Sequence, residues 1–322
     1  MATKKVTIND VAAAAGVSRQ TVTRAMNHMS RISPETRKRV LEISDQLGYR
    51  PSRFASNLAR QKHHALGLVV ATLRNPYYSD LAADVIDTTA ERGWEAMVAT
   101  TEHVNEVDVV ERLSHHVDVI AGYFSSGDEA AIAHAAGGLP VISIERPMSA
   151  PGLHAVELDF RTGIGELVAE LQGRGTRRIA MIDLVTAGRA YAPSHRYRLV
   201  EEIVGAELVA ASATEALQSS SEALQQILES HPEVDTVIAF NDLTAMGVLL
   251  GAHSRGLSVP EDLKVVGIDG LSLGDGMYPA LSTLKIDGRE IADAILDLAE
   301  TAPNSQSSSR IVVPRPLWRQ SA

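Results

Sequence analysis

The order of apolar and polar residues predicts a large α/β region that begins near Ala65. From there, short apolar runs alternate with longer segments whose apolar residues recur at helical spacing. Apolar runs of this kind are typical of strands covered on both faces, and their alternation with helices indicates βαβ units in mainly parallel sheets. We expect two lobes of such units, with the chain passing from the first to the second near Asp159. The predicted strands are 65–71, 95–99, 117–124, 141–144, 178–182, 235–240 and 264–268.

The first fifty residues follow a different pattern, of short helices separated by helix start and stop signals. Ser18 is placed to cap a helix at 19–26, and Ser33 a third helix that has proline in its first turn and ends at Gly48. Only residues 15–17 join the first two helices, so they must cross steeply. This arrangement predicts a helix-turn-helix.

Charge separates the same two regions. Residues 1–64 contain twelve Lys and Arg against four Asp and Glu, which gives +8, whereas the other 258 residues carry 18 basic and 36 acidic side chains, which gives −18. A small basic module attached to an acidic body predicts that the module binds a polyanion.

Length and composition exclude several classes of protein. The chain has 322 residues, more than one hydrophobic core usually supports, and its 45% apolar content is that of an ordinary globular protein. We expect no membrane span, because no apolar run approaches about 18 residues, and no signal peptide, because Asn9 and Asp10 interrupt the first apolar stretch. With no cysteine there is no disulfide or thiol chemistry. A cytoplasmic location is expected.

The second helix would enter the major groove of DNA, with its first residues at the base edges. Arg19, Gln20 and Arg24 point outward in this prediction, and arginine pairs with guanine as glutamine pairs with adenine. Solvated faces of a small helical bundle are the alternative. The residues better placed for phosphates are Thr21, Thr23, Asn27, Ser33 and the run 37–39.

A short amphipathic segment follows at residues 51–62. Phe54 and Leu58 lie four residues apart, so a helix here would have one apolar face but would be too short to be stable alone. A leucine on such a basic helix can insert between base steps in the minor groove. An ordinary interdomain linker is the other interpretation.

These motifs resemble the lactose-repressor family of bacterial transcription regulators. The resemblance is carried at the N-terminus by 6–12, 15–18, 21–24, Asn27, 32–37 and 47–51, and in the body by 75–78, 240–242, 265–269 and 279–284. It implies a helix-turn-helix headpiece (1–50), a hinge segment (51–64) and a periplasmic-binding-protein-like body (65–322). Lobe 1 of that body would comprise about 65–159 and 287–303, and lobe 2 about 160–286 and 304–322.

By the same resemblance the chain is a homodimer that binds a near-palindromic DNA operator, most simply as a repressor, and is controlled by a small effector between the lobes. The effector would be a sugar or sugar derivative, with a nucleobase as the alternative. No cofactor, metal or membrane contact is implied. The expected DNA contacts are Thr7, Ser18, Arg19, Gln20, Thr21, Thr23, Arg24, Asn27, Ser33, Arg53, Leu58 and Ala59, and the expected effector contacts are Tyr77, Tyr78, Arg198, Asn241 and Asp269.

Rival functions have weaker support in the sequence. Residues 270–274 fit the G-x-S-x-G pattern of hydrolases, but loop residues follow where a helix is needed, and no histidine lies downstream to act as base. Gly163-Ile164-Gly165 lacks the third glycine of a dinucleotide-binding motif. His115 and His116 could suggest a metal site, but adjacent residues on a helix point apart. A binding protein without DNA regulation would lack the basic N-terminal module. We therefore expect a regulator and not an enzyme.

Overall fold

The computed structural model describes residues 8–26, 32–47, 65–125, 127–148, 150, 152–186, 190–205, 208–301 and 307–322. The chain divides into two compact units, Met1–His64 and Ala65–Ala322.

The described residues of the first unit form three helices around a small apolar core. They are α1 (Ile8–Ala15), α2 (Arg19–Met26) and α3 (Pro34–Gln46). Gly16 makes the turn between α1 and α2 with a φ of +65°, a conformation that glycine adopts without steric cost. Buried Val11, Val22 and Val40 contribute one contact residue from each helix to the core. Helix periodicity and the turn glycine therefore produce the predicted helix-turn-helix.

The first lobe of the second unit is a six-stranded, wholly parallel sheet with helices packed against it. Its strand order is β11-β5-β4-β3-β1-β2. The strands are β1 (Ala65–Val70), β2 (Glu95–Thr100), β3 (Val119–Gly122), β4 (Val141–Glu145), β5 (Leu153–Leu158) and β11 (Ser309–Val312), and the helices are α4 (Pro76–Glu91), α5 (Glu106–Ser114), α6 (Glu129–Ala135) and α11 (Gly288–Thr301).

The second lobe repeats this plan, except that its last strand is antiparallel. The strand order is β12-β10-β9-β8-β6-β7, and β12 runs antiparallel to β10. The strands are β6 (Ile179–Leu184), β7 (Val209–Ala213), β8 (Thr236–Ala239), β9 (Lys264–Asp269), β10 (Ser282–Lys285) and β12 (Arg315–Leu317), and the helices are α7 (Phe160–Gly173), α8 (His195–Val204), α9 (Leu217–Ser230) and α10 (Asp242–Ser254).

The predicted α/β class with two mainly parallel sheets is confirmed. All seven predicted strands are present, with ends that differ by up to two residues. The chain crosses to the second lobe at Asp159, as expected, and returns between β10 and α11.

The predicted boundary of lobe 2 needs one correction. Residues 309–312 pair with β5 in the lobe 1 sheet, so the last crossing lies at 313–314 and not near 304. This strand lies at the edge of its sheet, where Val312 is buried but Ile311 is 63% exposed. Its apolar pattern is therefore too weak to predict a strand.

A close helix approach supports that last crossing. A Cβ atom at Gly163, in α7, would collide with the carbonyl oxygen of Pro314, whereas one at Gly165 would meet nothing within 4 Å. Gly163 therefore allows α7 to pack directly on the connection between lobes.

No helix among the described residues is long and apolar enough to span a membrane.

Candidate functional site

A cavity of about 240 Å³ lies between the two lobes of the body. Its walls are formed by residues at or just beyond the carboxyl ends of parallel strands, where ligands bind in open α/β sheets. Lobe 1 supplies residues that follow β1, β3 and β4, and lobe 2 supplies residues that follow β6, β7, β8 and β9. The lining residues are Asn75, Tyr77, Tyr78, Tyr123, Glu145, Leu184, Ser194, His195, Arg196, Glu215, Phe240, Asn241 and Asp269.

The charged centre of the cavity is an ion pair between Arg196 and Asp269. The Nη1 atom of Arg196 lies 3.3 Å from Oδ1 of Asp269 and donates a hydrogen bond of 2.8 Å to the carbonyl oxygen of Phe240. The guanidinium carbon also lies 4.7 Å from the ring centroids of both Phe160 and Phe240, at cation–π distance. Burial raises the pKa of Asp269 well above its ordinary value, and the adjacent guanidinium opposes that change. The arginine is thus held in one orientation.

Arg196 occupies the position that the sequence assigned to Arg198. Arg196 is 7% exposed, whereas Arg198 is exposed to solvent and is not among the residues that line the cavity. Both lie on α8, where two residues are separated by about 200° around the axis and so face opposite sides. The prediction that Arg198 lies in the pocket is therefore wrong.

Three tyrosine rings form the lobe 1 wall. Tyr77, Tyr78 and Tyr123 contact one another edge to face, with centroid separations of 5.3, 6.2 and 5.4 Å. The hydroxyl groups of Tyr77 and Tyr123 share a short hydrogen bond. Burial raises the pKa of Tyr78 to about 12 and raises those of the other two tyrosines as well. These hydroxyls are therefore neutral at physiological pH and can both donate and accept hydrogen bonds.

A carboxylate joins the two lobes at one side of the cavity. Oε1 of Glu215 accepts a hydrogen bond of 2.8 Å from Nδ2 of Asn75 in lobe 1 and one of 2.9 Å from Nδ2 of Asn241 in lobe 2. The Oδ1 atoms of the same two asparagines cap α4 and α10: that of Asn75 accepts a hydrogen bond from Tyr77 N, and that of Asn241 accepts one from Thr244 N. Helix capping thus fixes both amides that reach Glu215.

Two carboxylates of the cavity occupy equivalent places in the two lobes. Glu145 ends β4 and Asp269 ends β9, and each of these strands is third from one edge of its six-stranded sheet. Both have positive φ angles, +80° at Glu145 and +134° at Asp269. Such conformations cost non-glycine residues about 1–3 kcal/mol and are concentrated at functional sites. The backbone strain marks both residues as candidate ligand contacts.

Asp242 holds the turn that follows Asp269. Its Oδ2 accepts hydrogen bonds from the backbone N–H groups of Gly270 and Leu271 at 3.0 and 2.7 Å, and its Oδ1 accepts one of 2.6 Å from the hydroxyl of Thr283. The side chain is fully buried. Asp242 therefore positions the end of β9 without lining the cavity.

The structure brings together four of the five predicted effector contacts, Tyr77, Tyr78, Asn241 and Asp269. Sequence reasoning missed the other nine lining residues, among them Arg196, Tyr123, Glu145 and Glu215. Tyr123 and Glu145 lie at the carboxyl ends of predicted strands, and ligands in open α/β sheets bind at those ends. The sequence therefore allowed both residues to be predicted. Glu215 follows β7, a strand whose small residues were not recognised as a strand.

The exposed side of α2 carries the residues predicted to read DNA bases. Arg19, Gln20 and Arg24 are all exposed. Ser18 caps the helix by accepting a hydrogen bond of 3.1 Å from Thr21 N, and Thr21 is half-buried.

Two other predicted phosphate contacts take part in local hydrogen bonds. The hydroxyl of Thr23 donates 3.1 Å to the carbonyl of Arg19. Ser33 caps α3 by accepting a hydrogen bond of 3.1 Å from Thr36 N. The first turn of a helix has N–H groups that can bind a phosphate, so the caps at Ser18 and Ser33 are both compatible with a phosphate nearby. The predicted contacts Thr7, Asn27, Arg53, Leu58 and Ala59 lie outside the described residues.

The competing motifs do not assemble into sites. Ser272, of the G-x-S-x-G pattern, lies in a 3₁₀ turn at Ser272–Gly276 and not at the start of an α-helix. The Gly163-Ile164-Gly165 sequence lies within α7, where Gly163 serves packing. Within the part of the chain that the structure describes, no group of three or more potential metal ligands occurs.

A helix-turn-helix unit joined to a two-lobed body with a central cavity defines a class of ligand-responsive DNA-binding proteins. Residues 7–52 match the lacI family of bacterial regulatory proteins, and residues 168–322 match the periplasmic binding protein-like domain. The ribose operon repressor of Bacillus subtilis (strain 168) is 28% identical over 319 residues, which cover 95% of this chain and 96% of that protein.

Two solved structures extend the comparison. A LacI family transcriptional regulator from Arthrobacter sp. FB24, in complex with lactose, is 30% identical with a TM-score of 0.72, covering 80% of this chain and 99% of that one. The transcriptional regulator CelR, in complex with cellobiose, is 26% identical with a TM-score of 0.64, covering 99% of this chain and 100% of that one. The chain therefore belongs to the LacI family and is a DNA-binding transcription regulator.

Proposed function

We propose that this protein is a homodimeric repressor that binds a near-palindromic operator and is controlled by a sugar bound between its lobes. The observation that carries the proposal is the inter-lobe cavity, in which a fixed Arg196–Asp269 pair faces a wall of three tyrosines. Arginine and carboxylate can together hold neighbouring hydroxyls while aromatic rings cover an apolar sugar face. Relatives with bound lactose and cellobiose support the same ligand class.

DNA recognition is assigned to the exposed face of α2. In helix-turn-helix proteins the second helix enters the major groove. Arg19 and Arg24 would each contact guanine, and Gln20 adenine, with a discrimination of about 1–3 kcal/mol for each paired contact. Ser18, Thr21, Thr23 and Ser33 would position the unit on phosphates, which fix register without reading sequence.

Effector control would act through the contacts between the lobes. Arg196 and Asp269 belong to lobe 2 and the tyrosine wall to lobe 1, so a ligand that contacts both changes the free energy of closing the cleft. Two protomers on one operator would transmit that change through their hinge segments, and a coupling of about 1–3 kcal/mol alters operator affinity 5–150-fold. Leu58, in the predicted hinge segment, would insert into the minor groove between base steps.

The DNA proposal is tested by selecting a preferred duplex from a random library with the full chain. Arg24→Ala should abolish the preference for that duplex over random competitor, while weak binding that falls with salt remains. Arg310→Ala, on an exposed strand of the body, is the matched control and should leave the preference intact. Unchanged selectivity of Arg24→Ala would contradict the assignment of this face.

The effector proposal is tested by thermal unfolding in the presence of single sugars and single nucleobases. A ligand at 100 times its Kd stabilises the native state by about 2.7 kcal/mol. At least one sugar should stabilise the protein and change its affinity for the selected duplex. Stabilisation by nucleobases alone would refute the proposed ligand class.

A further inference from the structure

The cavity between the lobes holds more negative charge than positive charge. Arg196 and Asp269 form a pair and offset one another. Among the described residues, Glu215 accepts hydrogen bonds from the neutral amides of Asn75 and Asn241, and these contacts do not compensate its charge. Glu145 lines the same cavity, where it interacts with Arg196 only at longer range, and no described residue donates a hydrogen bond to its carboxylate. Among the described lining residues, one arginine therefore faces three carboxylates, those of Asp269, Glu145 and Glu215.

A second cavity continues this pattern on the lobe 1 side. It measures about 320 Å³ and shares Tyr78, Tyr123 and Glu145 with the first. Its basic residue, Arg146, donates a hydrogen bond of 2.6 Å to the carbonyl of Phe124. Arg146 shares this chamber with two carboxylates, Glu145 and Glu106. Acidic side chains thus outnumber basic ones in both chambers, and Glu145 lies where they meet.

The remaining polar groups of the first cavity do not change this balance. The tyrosine hydroxyls are neutral, and the imidazole of His195 is exposed to solvent, where water and salt screen any charge that it carries. A phosphate or carboxylate on a ligand would lie near Glu145 and Glu215, while the arginine of the cavity, Arg196, is already paired with Asp269. Like charges brought together in a desolvated site repel. Hydroxyl groups, by contrast, can donate to both carboxylates.

We propose that Glu145 and Glu215 are specificity-determining residues that make this cavity accept uncharged, hydroxyl-rich sugars and reject their phosphorylated forms. The inference rests on the proposed function, because it concerns the same effector. Glu145, with its left-handed backbone conformation at the end of β4, is the lobe 1 counterpart of Asp269. A neutral sugar would therefore donate hydroxyl protons to one carboxylate from each lobe.

The test uses matched probes with the full-length protein at pH 8. Glucose, galactose and ribose are compared with glucose 6-phosphate, galactose 6-phosphate and ribose 5-phosphate, and lactose and cellobiose are included as neutral sugars with two rings. Affinity is measured by calorimetry and checked by thermal shift. Each neutral sugar that binds should bind at least about tenfold more tightly than its phosphate ester.

Variants identify the groups responsible for this discrimination. Glu145→Gln and Glu215→Gln keep the shape and an acceptor oxygen but remove the charge, and together they should narrow the preference for neutral sugars by about tenfold. Glu261→Gln, at an exposed position outside both cavities, should leave the preference unchanged. The melting temperatures of the ligand-free variants check that the fold is preserved.

The outcomes separate this inference from the proposed function. A phosphate ester that binds as tightly as its neutral sugar, or an unchanged preference in the double variant, would overturn the inference while a sugar effector still stands. If no sugar of either kind binds, the proposed effector class is refuted, and the inference falls with it.

Discussion

Removing Arg196 should both destabilise the body and weaken effector binding. At 3.3 Å and an effective dielectric constant of about 20, the attraction between Arg196 and Asp269 is roughly 5 kcal/mol. Breaking a buried pair by removing one partner typically costs about 3–5 kcal/mol, because the other charge is left without compensation. Arg196→Ala should therefore lower the free energy of unfolding by about 3–5 kcal/mol.

The neighbouring arginine on α8 provides the matched control. Arg198 has the same chemistry and helix but is exposed, so Arg198→Ala should change the free energy of unfolding by no more than about 0.5 kcal/mol. Urea unfolding followed by tryptophan fluorescence measures both variants, because the two tryptophans of the chain, Trp94 and Trp318, lie in the body.

Ligand affinity gives a second readout of the same change. A hydrogen bond to a charged group contributes about 1.5–3 kcal/mol, so Arg196→Ala should weaken sugar binding by at least about tenfold. Arg198→Ala should leave it unchanged.

A double-mutant cycle with Asp269→Asn separates the pair from the rest of the site. If the two side chains stabilise one another, the double variant should be more stable than the sum of the single changes predicts, by at least about 1 kcal/mol. Additive effects, or equal losses in Arg196→Ala and Arg198→Ala, would refute the argument that this buried pair organises the cavity.

Three further changes test other parts of the account. Gly163→Ala should destabilise the body by about 1–3 kcal/mol, because the added Cβ collides with the lobe connection. Gly165→Ala, two residues along the same helix, should stabilise the body by about 0.5–1 kcal/mol. Equal effects of the two changes in urea unfolding would contradict the packing role of Gly163. Burial lowers the pKa of His154, so the unfolded state takes up the proton first and stability should be lost as the pH falls below about 6.5, a dependence that His154→Gln should reduce. Ser18→Ala removes a helix cap and should cost about 1 kcal/mol, measurable by circular dichroism as a lower headpiece melting temperature, and an unchanged melt would exclude the cap.

The parts of the fold with strong local signals were predictable from the sequence. Buried parallel strands such as β1 have continuous apolar runs, and Ser18 and Ser33 predict the starts of the helices that they cap. Strands β5, β7, β10, β11 and β12 were not predicted. Four of the five residues of β7 are alanine or serine, and β11 lies at an exposed sheet edge. Their identity depends on pairing with strands remote in sequence, which no local pattern records.

The same distinction applies to the cavity. Asn241 and Asp269 could be placed because they follow predicted strands. Arg196 could not be chosen over Arg198, since both lie on α8 and only the rotation of that helix against Phe160 and Phe240 decides which one is buried. Rotation of a helix depends on tertiary packing, and the apolar pattern of a ten-residue helix defines it poorly.

The central claim is that one chain reads a DNA sequence and that occupancy of its cleft controls this reading. The most direct measurement is a fluorescence anisotropy titration of the selected duplex with the full-length protein, with and without the sugar that stabilises it most. The account predicts tight binding to this duplex over random competitor, and a 5–150-fold change in affinity, about 1–3 kcal/mol, when the sugar is present. Equal affinity for selected and random duplex, or a sugar that stabilises the body without changing DNA affinity, would contradict it.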